Sequence, residues 1–117
     1  MTTNSDCLFC GIVTGRIPAD LVARGERAVA FRDINPQAPT HVLVVPADHY
    51  ENAAELAAAD PEMLAEVFTV ADDVARAEGL TESGYRGVLN TGAGVGQSVF
   101  HAHLHVLGGR PMGWPPG

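Results

Sequence analysis

The sequence predicts an α+β domain on a five-stranded, mainly antiparallel sheet, and three observations point to it. Strand-like runs of apolar and β-branched residues recur at Leu21–Arg24, Ala28–Arg32, Thr40–Pro46, Tyr85–Asn90 and Phe100–Leu107. One long apolar stripe at three- and four-residue steps lies between the third and fourth runs. The 117 residues suffice for one domain with a small core, and no repeat or boundary divides them.

The elements follow in order. Residues 1–6 form a polar tail. CLFCGIV, from Cys7 to Val13, is a short helix or a knuckle, ended by Thr14 and Gly15. Leu21–Arg24 and Ala28–Arg32 flank a Gly25-Glu26 turn and so form a hairpin. Asp33 to Pro39 is a loop rich in turn formers. In THVLVVP, Thr40 to Pro46, the β-branched run favours a well-covered strand, which Pro46 ends. Glu51 to Ala59, rich in alanine, is a short helix. Asp60 then acts as N-cap with Pro61 at the first helical position of a long helix, closed by Gly79. Its stripe is Met63, Leu64, Val67, Phe68, Ala71, Val74 and Ala75, and its acids form a solvated face. After the fourth strand a glycine-rich bend, Gly92 to Ser98, leads into the last one. The tail 110–117, RPMGWPPG, is too proline-rich for regular structure, and its Trp114 must dock on something.

Composition excludes several classes. A net charge of -7, with all seven cationic residues arginines scattered along the chain, argues against wrapping nucleic acid, though not against holding a mononucleotide. The N-terminus has no basic and apolar signal pattern, and no stretch reaches the ~18 apolar residues of a membrane span, so a cytoplasmic chain is expected. Two cysteines do not make a disulfide framework. Cys7 and Cys10 have the spacing of half a tetrahedral zinc site, with histidine completing it; a redox dithiol and an unmetallated pair are the alternatives.

The chemistry concentrates in FHAHLHVL. His101, His103 and His105 alternate with Ala102, Leu104 and Val106, so a strand sets three imidazoles on one face and an apolar anchor on the other. Imidazoles on one face stand roughly 6.5 to 7 Å apart. The glycine bend just upstream lets backbone donors approach an anion. Imidazoles beside a phosphate-sized nest suggest phosphorus chemistry, and His41 opens THVLVVP with His49 just beyond it.

FHAHLHVL matches the His-φ-His-φ-His-φ-φ motif, where φ is hydrophobic. With DINPQAPTHVLVVPADH, VLNTGAGVGQSVFHAHLHVLGGR and the terminal WPPG, nearly the whole chain resembles the histidine triad (HIT) family, in its Hint branch of nucleoside phosphoramidases. The resemblance implies a HIT-like fold with one long and one or two short helices, and hydrolysis of purine nucleoside phosphoramidates through a nucleotidyl-histidine intermediate. It implies His103 as nucleophile, with His105, His41 and Ser98 as its catalytic company. Asp33 then holds the ribose hydroxyls, and Asn90, Gln97 and Ser98 lie near sugar, phosphate and leaving group. Phe9, Ile12, Ile17, Phe31 and Ile34 are candidates for an apolar base pocket, one that discriminates adenosine from guanosine weakly. Zinc-bearing members of the family imply a structural zinc on Cys7, Cys10, His49 and His101, with no metal needed for the chemical step. The branch also implies a homodimer whose tail, with Trp114, reaches the partner's site. A dinucleoside polyphosphate hydrolase and a nucleotide-binding regulator with incidental hydrolysis are the competing readings.

Overall fold

The structure, a computed structural model, describes residues 4–117; the part of the expected tail at 1–3 lies outside the described residues. Helix α1 spans Leu8–Val13, α2 Ala53–Ala59 and α3 Pro61–Ala77. The strands are β1 Leu21–Arg24, β2 Ala28–Arg32, β3 Thr40–Pro46, β4 Tyr85–Val88 and β5 Leu104–Gly108. They form one antiparallel sheet in the order β1-β2-β3-β5-β4, with β3 at its centre and buried throughout.

Local chemistry explains the helix starts. Cys7 caps α1 through its sulfur, which accepts from the Cys10 N–H, and Asn52 caps α2 through a bond from the Glu55 N–H. Asp60 accepts from the Met63 N–H with Pro61 at the first position of α3. The same Asp60 pairs with Arg27, which ties α3 to the hairpin.

The strand period of two divides the sheet into two faces. On one, Ala28, Ala30, Val42, Val44, Leu104 and Val106 pack against Met63, Val67, Val70, Ala71 and Val74 of α3. On the other, Val29, Phe31, Leu43 and Val45 meet Phe9 and Ile12 of α1. Two readings of the sequence need correction here. Phe68 is half exposed while Val70 is buried, because the buried stripe turns along 63, 67, 70, 71 and 74. The last strand begins at Leu104 rather than Phe100. Its pairing with β3 ends at Val44 and Leu104. Beyond that point the Ala102 N–H donates to the Tyr50 carbonyl, and the His101 ring, rather than a backbone N–H, meets the Pro46 carbonyl.

The tail is held through its backbone: Arg86 donates to the Gly113 carbonyl and Arg110 to that of Gln37. The Trp114 side chain stays 83% exposed.

Candidate active site and metal-ligand cluster

All five histidines gather on the α1 face or at its margin. His41 precedes Leu43 on β3 by two residues and so shares its face, and β5 places His105 on that face beside it. His101 and His103 follow the extended approach to β5, where Ala102 and Leu104 keep the alternation by burying into the α3 side. His103 stacks edge-on to Phe9 at 5.0 Å between centroids and to His105 at the same separation.

The hydrogen bonds fix what each ring can do. His103 Nδ1 lies 2.7 Å from the His101 carbonyl, which can only accept, so Nδ1 carries the proton and Nε2 keeps its lone pair. The Gln37 N–H donates to His41 Nδ1 at 3.0 Å, so the His41 proton sits on Nε2. From there it is donated to His105 Nδ1 at 2.9 Å, with Asp33 Oδ2 at 3.4 Å. His105 in turn holds its own proton on Nε2. The site thus presents one imidazole as a bare nitrogen and its neighbour as an N–H donor.

Burial keeps these rings neutral. It pushes His103 below the usual histidine range, against the opposing pull of the His101 carbonyl and Asp33. His41 is lowered for the same reason, with Asp33 again opposing. Burial, reinforced by the neighbouring His103 and His41, brings His105 down to about 4.

His103, His105, Asp33 and Ser98 open onto a cavity of about 630 Å³ whose apolar walls include Phe9, Ile12, Ile17 and Leu43. Leu43 was not singled out from the sequence, although its alternation with His41 places both on one face. Ile34 stands at the rim, fully exposed. Phe31 is core, 4% exposed and edge-on to Phe9 at 5.4 Å, since its β2 position points it under α1. Asp33 accepts from the Asn35 N–H, so it both turns its loop and faces the cavity. His41 bonds to His105 and is not on the cavity wall, so it faces the cavity only through the His105 ring.

Two expectations about the glycine bend change. Gln97 is buried and fully engaged: its Oε1 accepts from the Gly92 N–H, and its Nε2 donates to the Glu51 and Val99 carbonyls. It braces the loop instead of facing the cavity. The N–H groups of Gly96 and Gln97 are also engaged inside the turn, with Ala93 and Gly92, where Gly92 and Gly96 take φ of 101° and 102° that favour glycine. Asn90 stands beside this turn, its Nδ2 3.9 Å from where a Gly96 Cβ would lie.

A second cluster adjoins the first. The ligand atoms of Cys7, Cys10, His49 and His101 lie within 4.8 Å of one another. His101 Nδ1 is 3.4 Å from Cys7 Sγ and 3.5 Å from Cys10 Sγ, and His49 Nδ1 is 3.4 Å from Cys10 Sγ. A tetrahedral ion with the usual metal–sulfur and metal–nitrogen distances requires sulfur–nitrogen edges of about 3.5 Å, so this donor set fits one. His101 Nε2 donates to the Pro46 carbonyl at 3.0 Å, which leaves Nδ1 free to ligate, the usual outer brace of a metal-bound imidazole. Asp33, His41 and His105 also converge. There, however, the His41 Nε2 proton occupies the centre, and moving it to Nδ1 would oppose the Gln37 N–H. That group is a hydrogen-bond relay, not a metal site.

Residues 14–112 match the HIT domain. The chain belongs to the HIT family. It is 42% identical over 108 residues to a purine nucleoside phosphoramidase of Escherichia coli K12, covering 92% of this chain and 91% of the relative. A 14 kDa zinc-binding protein of Zea mays is 47% identical over 116 residues, 97% of this chain and 90% of that one. Among solved structures, a HIT family hydrolase from Legionella pneumophila superposes with a TM-score of 0.90 at 51% identity, covering 95% of this chain and 99% of the other. The chain is thus a homologue of the nucleoside phosphoramidases, with the HIT architecture of one antiparallel sheet and its histidine row.

Proposed function

We propose that this HIT-family hydrolase cleaves the P–N bond of purine nucleoside phosphoramidates, releasing a nucleoside monophosphate and an amine. The observation that carries the reading is the state of His103. It is a neutral imidazole, its proton held on Nδ1 by the His101 carbonyl, with Nε2 free on a cavity that also holds an N–H donor and a carboxylate.

The steps follow from those groups. His103 Nε2 attacks the α-phosphorus, and the P–N bond breaks as the N–P bond to His103 forms. The imidazolium so produced is stabilised through Nδ1–H and the His101 carbonyl. His105 Nε2–H donates to a non-bridging oxygen as charge builds there. The departing amine takes up a proton from solvent relayed through Ser98, which borders the cavity. Water then attacks phosphorus, its proton returns to solvent by the same route, the N–P bond breaks, and His103 returns neutral. Asp33 accepts from the ribose hydroxyls, and Phe9, Ile12 and Ile17 hold the base.

Cys7, Cys10, His49 and His101 hold a structural zinc in this reading, which when bound clamps the α1 end to the segment that carries the nucleophile. The zinc-binding relative supports it, as does the fit of the four donors. The chain also acts as a homodimer. Half-exposed Phe68 and Tyr85, exposed Trp114 and the open edge of β4 supply surface for that contact, and sedimentation at micromolar concentration reads it.

The deciding experiment compares turnover of an adenosine phosphoramidate and a diadenosine polyphosphate by wild type and His103→Ala. Preference for the phosphoramidate, lost in His103→Ala, is expected. Equal turnover by both proteins would refute the mechanism, and preference for the polyphosphate would refute the substrate class.

A further inference from the structure

Cys7 and Cys10 hold the His101 ring from one side, and the His101 main-chain carbonyl holds the nucleophile from the other. One residue therefore belongs to both clusters. The two sulfurs are also unequally placed. Cys10 is buried, whereas Cys7 is half-buried and lines a second cavity of about 420 Å³. That cavity shares Leu8, Ser98 and Val99 with the nucleophile's own. A small solute entering beside the reaction site thus reaches a thiol.

We propose that Cys7 and Cys10 form a peroxide-sensitive modification site that switches the enzyme off by releasing the metal and loosening His103. The inference rests on the metal-loaded, phosphoramidate-cleaving reading above. The two sulfurs lie within 4.8 Å of one another, and both converge on His101 Nδ1 at 3.4 and 3.5 Å. A peroxide entering by way of Cys7 takes two electrons from the two thiolates. The O–O bond breaks as the S–S bond forms, two protons from solvent complete two molecules of water, and the divalent ion leaves with its charge unchanged. Each sulfur loses the negative charge that binds the ion. His101 Nδ1 is left with neither a metal nor a thiolate, and its ring keeps the Pro46 carbonyl as hydrogen-bond partner and its edge-on contacts with Phe9 and His49. The His101 carbonyl that orients His103 Nδ1 then loses the clamp on its own side chain and keeps its peptide's bond from the Ala102 N–H to the Tyr50 carbonyl.

The test titrates hydrogen peroxide into zinc-loaded wild type. Three quantities are followed: zinc with a chromogenic chelator, thiols by intact mass and alkylation, and adenosine phosphoramidate turnover together with nucleoside monophosphate affinity. One zinc released per chain, in step with loss of both alkylatable thiols and a 2 Da decrease in mass, is expected. kcat should fall about tenfold or more, the usual scale for loss of a metal site's outer support, with nucleotide affinity changed less than about threefold. Dithiothreitol and zinc together should restore all three, which methionine oxidation would not allow. Retention of zinc after the thiols are consumed, or release of zinc with kcat unchanged, would overturn the proposal. A loaded, reduced protein that does not turn over the phosphoramidate would refute the parent reading instead, and the zinc and mass readouts would still decide whether the thiols gate the metal.

Discussion

The two faces of the sheet are built from the same strands and have opposite characters. On the α3 side, alternate residues of β2, β3 and β5 meet an apolar helix, and the contact is continuous from Ala28 to Val106. On the α1 side, the intervening residues meet a helix of only six residues, and His41, Leu43 and His105 line up beside Phe9 and Ile12. A six-residue helix cannot cover the sheet, so a cavity of about 630 Å³ remains on its side, where the long helix leaves one of only about 10 Å³. The first face supplies cohesion and the second leaves polar groups a place to act. The strand period of two lets one segment serve both, since Leu104 anchors while His103 and His105 face the cavity.

Substitutions on the two faces should separate accordingly. The largest effect is expected for His103→Ala, with kcat down by about three orders of magnitude or more and the far-UV spectrum unchanged. A comparable loss of stability and activity would mean that the two faces are not independent. For the proposed zinc, chelation should lower stability by about 4 kcal/mol relative to a thousandfold excess of zinc over its Kd, read by urea denaturation. An unchanged midpoint would show that Cys7, Cys10, His49 and His101 carry no folding energy through a metal. Met63→Ala, 2% exposed under the sheet, should cost about 2–4 kcal/mol by the same measurement and leave kcat per folded molecule intact.

Acid should act on the α1 face. His103 and His105 are lowered, to about 4 for His105, so both stay neutral through the physiological range. kcat/KM should hold level near neutrality and decline only as pH drops well below 6.5, the ordinary histidine value. An acid limb centred at or above 6.5 would contradict the burial that lowers them. The same shift bears on stability. From pH 6.5 down toward 4 the unfolded chain binds the protons that His105 refuses when folded, so stability is present above 6.5 and lost through that window. The smallest effect belongs to the α3 side. Arg32 bonds both oxygens of Glu78 at 3.1 and 3.0 Å, but the pair is partly exposed, and Arg32→Ala should cost under about 1 kcal/mol.

Much of this architecture was legible from local pattern. The hairpin β1–β2, the central β3 and the Asp60-Pro61 start of α3 stand where alternation and capping place them. What escaped depended on partners distant in sequence. The start of the last strand moved to Leu104 because the Pro46 carbonyl is taken by the His101 ring. Gln97 looked like a ligand contact and proved a loop brace, since Glu51, 46 residues away, supplies the carbonyl it bonds. Phe31 looked like a pocket wall and lies in the core because α1 folds over it. The notion that Trp114 docks finds no counterpart within the described residues of this chain, where its side chain is solvent-facing.

By itself the sequence determined which residues alternate, where helices begin, and that three imidazoles share one side of one segment, because periodicity and capping are properties of near neighbours. Only the tertiary structure decided what each imidazole does. Protons settle on ring nitrogens according to the partner opposite: a carbonyl for His103, the Gln37 N–H for His41, and two sulfurs with a carbonyl for His101. Those partners come from other strands, helices and loops, and only folding sets them at hydrogen-bonding distance.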